Sequence, residues 1–236
     1  RSPRPARPPL PTETAMPHVL ITGANRGIGH ALATQYAAAG WTVTACTRAR
    51  EVAMPEGVRL RTLDVAAPES FADFAREIDA PIDVLINNAG GFGPRPQTTA
   101  DIDAELWSDV FRVNTIGPVL LARALLDRVA AGREKKLVTI TSRMGSLAEN
   151  TSGSAPMYRA AKAAVNMAMQ CLSFEVAPRG LGVLLVHPGW VRTAMGTDQA
   201  DIDVAASAAG IRRVIAEFDP ATRLDFRAWD GRRIPW

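Results

Sequence analysis

Cysteine is scarce in these 236 residues: Cys46 and Cys171 stand far apart, with neither the spacing of a zinc site nor the density of a disulfide framework. Both are expected as buried free thiols. Histidine is equally thin, and His18, His30 and His187 lie beside apolar runs without an H-x-x-x-H spacing, so no metal site is expected. Long apolar runs are missing as well. None approaches the ~18 residues that a membrane-crossing helix needs, and the first fifteen residues lack the apolar core of a secretory signal. A cytoplasmic protein without a membrane partner is the expectation. A surplus of one charge is also lacking: the net charge is +3, of which Arg1, Arg4, Arg7 and Glu13 supply +2, so no nucleic-acid surface is implied.

What the chain has is the balance of a globular protein, 47% hydrophobic and 22% charged, at a length that suits one α/β domain around a single large core. Residues 1–15, RSPRPARPPLPTETA, are rich in proline and arginine with almost nothing to bury, and are expected to be a disordered extension. Residues 16–236 form the expected folded domain. Short apolar runs at 18–22, 41–47, 58–65, 83–88, 135–142, 182–187 and 223–229 read as strands. Between them, helical periodicity is expected over 30–39, 68–79, 104–131, the stretch around Tyr158, and 205–218.

One constellation bears chemistry. Ser142 closes the fifth strand, and sixteen residues on comes Tyr158, with Lys162 four residues further along a helical pattern. Residues four apart share a helix face, so a phenol and an ammonium are presented to one point. A nearby cation eases proton release from a phenol whose ordinary pKa is about 10. Ser142 is expected to hydrogen-bond the oxygen that receives the proton. Asn114, within the long helical stretch and followed by Gly117-Pro118, is a polar residue beside a kink, expected to hold a water near Lys162.

A second constellation binds phosphate. The strand ending in Thr22 runs straight into Gly23-Ala24-Asn25-Arg26-Gly27-Ile28-Gly29 and then a helix. Gly23 permits a tight turn, Gly27 lets backbone approach a pyrophosphate, and Gly29 lets helix pack on strand. The second strand ends in Thr47-Arg48, where an acid would bind the ribose of NAD. Arg48, with Arg26 in the loop, instead suits a 2′-phosphate, so NADP (NADPH) is expected over NAD. Asp64 at the end of the third strand offers an acceptor to an adenine amino group, and Gly90 after Asn87-Asn88-Ala89 leaves room for a cofactor.

With TGANRGIG at 22–29, Asp64, NNAG at 87–90, Asn114, Ser142, YRAAK at 158–162 and PGWVRT at 188–193, the sequence resembles the short-chain dehydrogenase/reductase family. The short tail ending WDGRRIPW resembles its C-factor and sniffer-type carbonyl reductase branch. The resemblance implies a single-domain Rossmann fold: a doubly wound parallel sheet of about seven strands with helices on both faces. It places Asn25, Ile28, Val65, Asn88, Ala89, Pro188, Gly189, Val191 and Thr193 at the cofactor, beside Tyr158 and Lys162. The implied reaction is hydride transfer between NADPH and a ketone or aldehyde, with Tyr158 as acid, Lys162 lowering its pKa and holding the nicotinamide ribose, and Asn114 placing a water. The partner is then a small carbonyl or alcohol. Reduction of a 3-oxoacyl thioester and a dinucleotide-binding signalling role are alternatives. Because the Tyr158 helix is apolar nearly all round, a homodimer or homotetramer is also anticipated.

Overall fold

The computed structural model describes residues 16–98, 100 and 102–236; the anticipated extension at 1–15 lies outside the described residues. Seven strands, β1 (His18–Thr22), β2 (Thr42–Thr47), β3 (Val58–Thr62), β4 (Val84–Asn87), β5 (Lys136–Ile140), β6 (Gly182–His187) and β7 (Leu224–Ala228), form one sheet in the order β3-β2-β1-β4-β5-β6-β7. All six pairings are parallel. Parallel pairing requires a crossover between neighbours, and the helices that make those crossovers cover both faces. The central strands are accordingly buried along their whole length.

The pleat sorts their side chains. Leu20, Leu85, Leu137 and Val183 point to one face, where they meet Leu121, Val165 and Met169. Val19, Ile21, Ile86 and Val138 point to the other, against Leu32, Ala33, Ile211 and Val214. The helices on the first face are α2 (Phe71–Glu77), α4 (Gly117–Ala124) and α6 (Pro156–Val176); those on the second are α1 (Gly27–Ala38) and α7 (Val204–Glu217). Chain order reverses at β1, whose neighbours are β2 on one side and β4 on the other. In open α/β sheets the crevice at such a reversal, beyond the carboxyl ends of the strands, is where ligands bind.

The single helix anticipated over 104–131 is broken. It comprises α3 (Ala104–Phe111), a π turn (Arg112–Ile116), α4 and α5 (Leu126–Ala130). Within the π turn the Gly117 N–H reaches back to the Arg112 carbonyl. Pro118 has no N–H to give, and Gly117 lies so close to the Val65 carbonyl that any side chain there would collide. Both features favour a widened turn at this point. The third strand also stops early, at Thr62, because Asp64 turns the chain by accepting the Ala66 N–H at 2.9 Å. Helix α6 keeps Met167 and Phe174 about 60% exposed (60% and 61%), and Cys171 is exposed rather than buried.

Candidate active site

The glycine loop is built where β1 enters α1. Gly23 and Gly27 have φ of +65° and +56°, a region open to glycine at little cost. A Cβ on Gly23 would stand 2.8 Å from the Ala89 Cα. The Asn88 side chain stitches the same junction, its Nδ2 donating to the carbonyls of Thr22 at 2.9 Å and Gly23 at 3.2 Å. Thr22 Oγ1 in turn accepts the N–H groups of Asn88 and Ala89, both at 3.0 Å. The first turn of α1 holds no acidic residue and no side-chain cap, which leaves its N–H groups and positive dipole end to an anion. Arg26 and Arg48 are both exposed. Thr47 is spent internally, its hydroxyl donating to the Ala49 carbonyl at 2.6 Å.

On the other side of the crevice, β5 delivers Ser142 into a short turn over 143–145 that rests directly on α6. A side chain on Gly145 would press the Lys162 backbone, and Thr141 Oγ1 lies 2.7 Å from Asn166 Oδ1 on α6. These contacts hold Ser142 on the face of α6 that carries Tyr158, where the Ser142 hydroxyl eases ionisation of the phenol. Ser142 also accepts the Met144 N–H at 3.1 Å. Ser142, Tyr158, Lys162 and Asn114 are all buried. Beside them opens a cleft of about 1280 Å³ that also takes in Ile28, Pro188, Gly189, Val191 and Thr193. Thr193 closes the ring, since a Cβ on Gly27 would stand 3.4 Å from its Cγ2. Arg48 directly follows β2, and Asp64 and Val65 follow β3, at the carboxyl ends of those strands.

Burial dominates the acidity of both groups. Tyr158 is pushed up to about 12 by burial, with the Ser142 hydroxyl pulling partly back. Lys162 is pulled down to about 8 by burial alone. The ammonium is aimed at the Ile140 carbonyl, 3.0 Å away, and sits 5.7 Å from the centre of the Tyr158 ring. Desolvation of the phenolate therefore outweighs any help from the cation. Asn114 also has a structural part. Its Nδ2 donates to the carbonyls of Gly91 and Val110, each at 2.8 Å, and its Oδ1 accepts the Gly91 N–H at 3.2 Å. It braces the loop after β4 against the π turn. A Cβ on Gly90 would stand 2.9 Å from Asn114 Oδ1 and 3.6 Å from Lys162 Nζ, so the glycine lets both side chains close over bare backbone.

Ala161 faces away from the cleft and packs with Val110 and Met157, as its place between Tyr158 and Lys162 implies. Sequence reasoning missed Phe92 and Gln97. The Phe92 ring stacks on Tyr158 with centroids 4.9 Å apart, and Gln97 Oε1 accepts the Tyr158 N–H at 3.2 Å. Both belong to a loop whose only sequence signal was its glycines and prolines.

A family model described as short chain dehydrogenase matches residues 17–203. The chain belongs to the short-chain dehydrogenase family. It is an oxidoreductase that depends on a nicotinamide dinucleotide. Among its relatives is C-signal of Myxococcus xanthus, 40% identical over 156 residues, a match spanning 66% of this chain and 93% of that protein. Among solved structures, a short-chain dehydrogenase/reductase from Burkholderia multivorans with bound NADP superimposes with a TM-score of 0.87 at 30% identity, covering 94% of this chain and all (100%) of the other. The carbonyl reductase Sniffer of D. melanogaster gives a TM-score of 0.86 at 27% identity, with coverage of 94% and 100%.

Proposed function

We propose that this protein reduces a ketone or aldehyde to the alcohol at the expense of NADPH, with Tyr158 as the general acid. The observation that carries the reading is the pair of hydroxyls, Ser142 and Tyr158, both buried and both lining the cleft that reaches the glycine loop at Ile28. The free N–H groups of α1, the bare backbone of Gly23 and Gly27, and the guanidinium groups of Arg26 and Arg48 suit a dinucleotide that bears a 2′-phosphate. When bound, that group supplies the hydride.

The chain's own residues handle the charge. As the carbonyl carbon is reduced, its oxygen takes on the basicity of an alkoxide, comparable to hydroxide and well above that of a phenolate. A phenol at about 12 is fully protonated at neutral pH and still acidic enough to give that oxygen its proton. The Ser142 hydroxyl donates a hydrogen bond to the same oxygen and so stabilises the charge while it develops. Lys162, fixed by the Ile140 carbonyl, keeps further N–H donors for ribose hydroxyls and offers its charge to the phenolate that Tyr158 leaves behind. Asn114 holds the loop that carries Gly90 in place.

The similarity to C-signal favours a second reading, in which the fold serves signalling and turnover is incidental. Following NADPH absorbance against a panel of ketones and aldehydes separates the two. Steady turnover that Tyr158→Phe abolishes supports the reductase; tight NADPH binding with no oxidation of it on any carbonyl rejects it.

A further inference from the structure

The substrate side of the cleft is lined by four arginines and one glutamate, a concentration of positive charge in a chain that is otherwise nearly balanced. Three of the arginines are engaged. Arg159 donates to the Ser154 carbonyl at 2.6 Å and the Ser152 hydroxyl at 3.0 Å. Arg95 lies over the Phe92 ring, 4.1 Å from its centre, and donates to the Met195 carbonyl at 2.7 Å. Arg232 pairs with Glu149 at 3.2 Å. The Arg143 guanidinium has no hydrogen-bond or ion-pair partner among the described residues.

Arg143 directly follows Ser142 in the chain, and both line the cleft. His187, at the end of β6, lines it too, and its Nδ1 is buried without a partner. Burial, then the charges of Arg143 and Arg232, hold this imidazole down at about 4 against the opposing pull of Asp230, so it is neutral, and the four guanidinium groups outnumber the nearby carboxylates of Glu149 and Asp230. Surplus charge focused in a cleft attracts an anion, and a guanidinium binds carboxylate or phosphate through two parallel N–H donors. Arg26 and Arg48, the guanidinium groups suited to the dinucleotide, do not line this cleft, which meets the first turn of α1 only at Ile28.

We propose that the carbonyl substrate carries an anionic group, a carboxylate or a phosphate, and that Arg143 binds it beside Ser142. The proposal rests on the reductase reading and makes Arg143 a specificity residue of the same site. It is tested on the full chain with NADPH and three matched substrates: a straight-chain aldehyde, the same chain ending in a carboxylate, and the same chain ending in a phosphate. The expected result is a kcat/KM for one charged substrate roughly tenfold or more above the neutral one, with that ratio collapsing in Arg143→Gln and largely restored in Arg143→Lys. Which charged substrate leads identifies the anion. A ratio near one in the parent protein, or a ratio unchanged by Arg143→Gln, overturns the proposal. Calorimetric titration of the NADP-loaded protein with the saturated carboxylate and with inorganic phosphate reads the site without turnover. Binding that Arg143→Gln abolishes supports the anion site even if no aldehyde is reduced, in which case the reductase reading alone fails; no binding of either anion to the parent overturns the site.

Discussion

The ring of Phe92 lies on that of Tyr158 at a centroid distance of 4.9 Å and an interplanar angle of 29°. The contact carries loop 91–98 onto the face of the proposed acid, and Arg95 extends it by lying over Phe92 and holding the Met195 carbonyl. Tyr158 is thus held between a helix behind it and an aromatic ring in front. Such stacking is worth about 0.5–1.5 kcal/mol. Phe92→Ala is expected to lower kcat roughly twofold to tenfold by loosening the phenol, as steady-state kinetics will show.

The pH dependence should follow Lys162. Its folded pKa, about 8, means that the ammonium carries its charge below that pH and loses it above, whereas Tyr158 at about 12 stays protonated throughout. The kcat/KM for NADPH in the reductive direction, which reports groups of the free enzyme, is therefore expected to be flat at low pH and to fall as pH rises through about 8. A rate that climbs across this window would assign the controlling group elsewhere.

Function and stability should part company at Lys162. Its fall from 10.5 to about 8 corresponds to about 3 kcal/mol of burial penalty, present in full below pH 8 and relieved as pH climbs towards 10.5. Loss of the charge-assisted bond to the Ile140 carbonyl costs back about 1.5–3 kcal/mol. Lys162→Met should therefore be as stable as the parent or more so by up to about 1.5 kcal/mol at neutral pH in denaturant unfolding, yet inactive.

Cofactor choice should depend on Arg48. Losing a charge-assisted contact to a 2′-phosphate costs about 1.5–3 kcal/mol, or about tenfold to a hundredfold in affinity. Arg48→Ala is expected to raise the Kd for NADPH by that factor while leaving the Kd for NADH nearly unmoved, as fluorescence titration will measure.

Much of this architecture was legible in the residues. The runs around Leu20, Leu85 and Leu137 were apolar on both faces because both faces of the sheet are covered, and each strand was located to within a few residues. The glycine loop, Asn88 and the Ser142, Tyr158 and Lys162 set came together because each stands at the end of a strand or one helical turn from its partner. The rest depended on contacts between distant segments. The break after Phe111 arises where Gly117 packs on the Val65 carbonyl, fifty-two residues away in sequence. The Phe92 stack joins a loop to a helix that periodicity cannot connect. Spacing put a cation near the Tyr158 phenol, but the direction of its pKa was decided by desolvation, which no spacing records.

The central claim is that Tyr158 gives the proton, and Tyr158→Phe tests it most directly. The substitution removes one hydroxyl and keeps the ring that packs on Phe92. NADPH affinity by titration and carbonyl reduction by steady-state kinetics should be measured on the same preparation. NADPH binding is expected to persist within a few-fold while kcat falls by about 10² or more. A Tyr158→Phe protein that binds NADPH and reduces its carbonyl substrate at close to the parental rate would contradict the account.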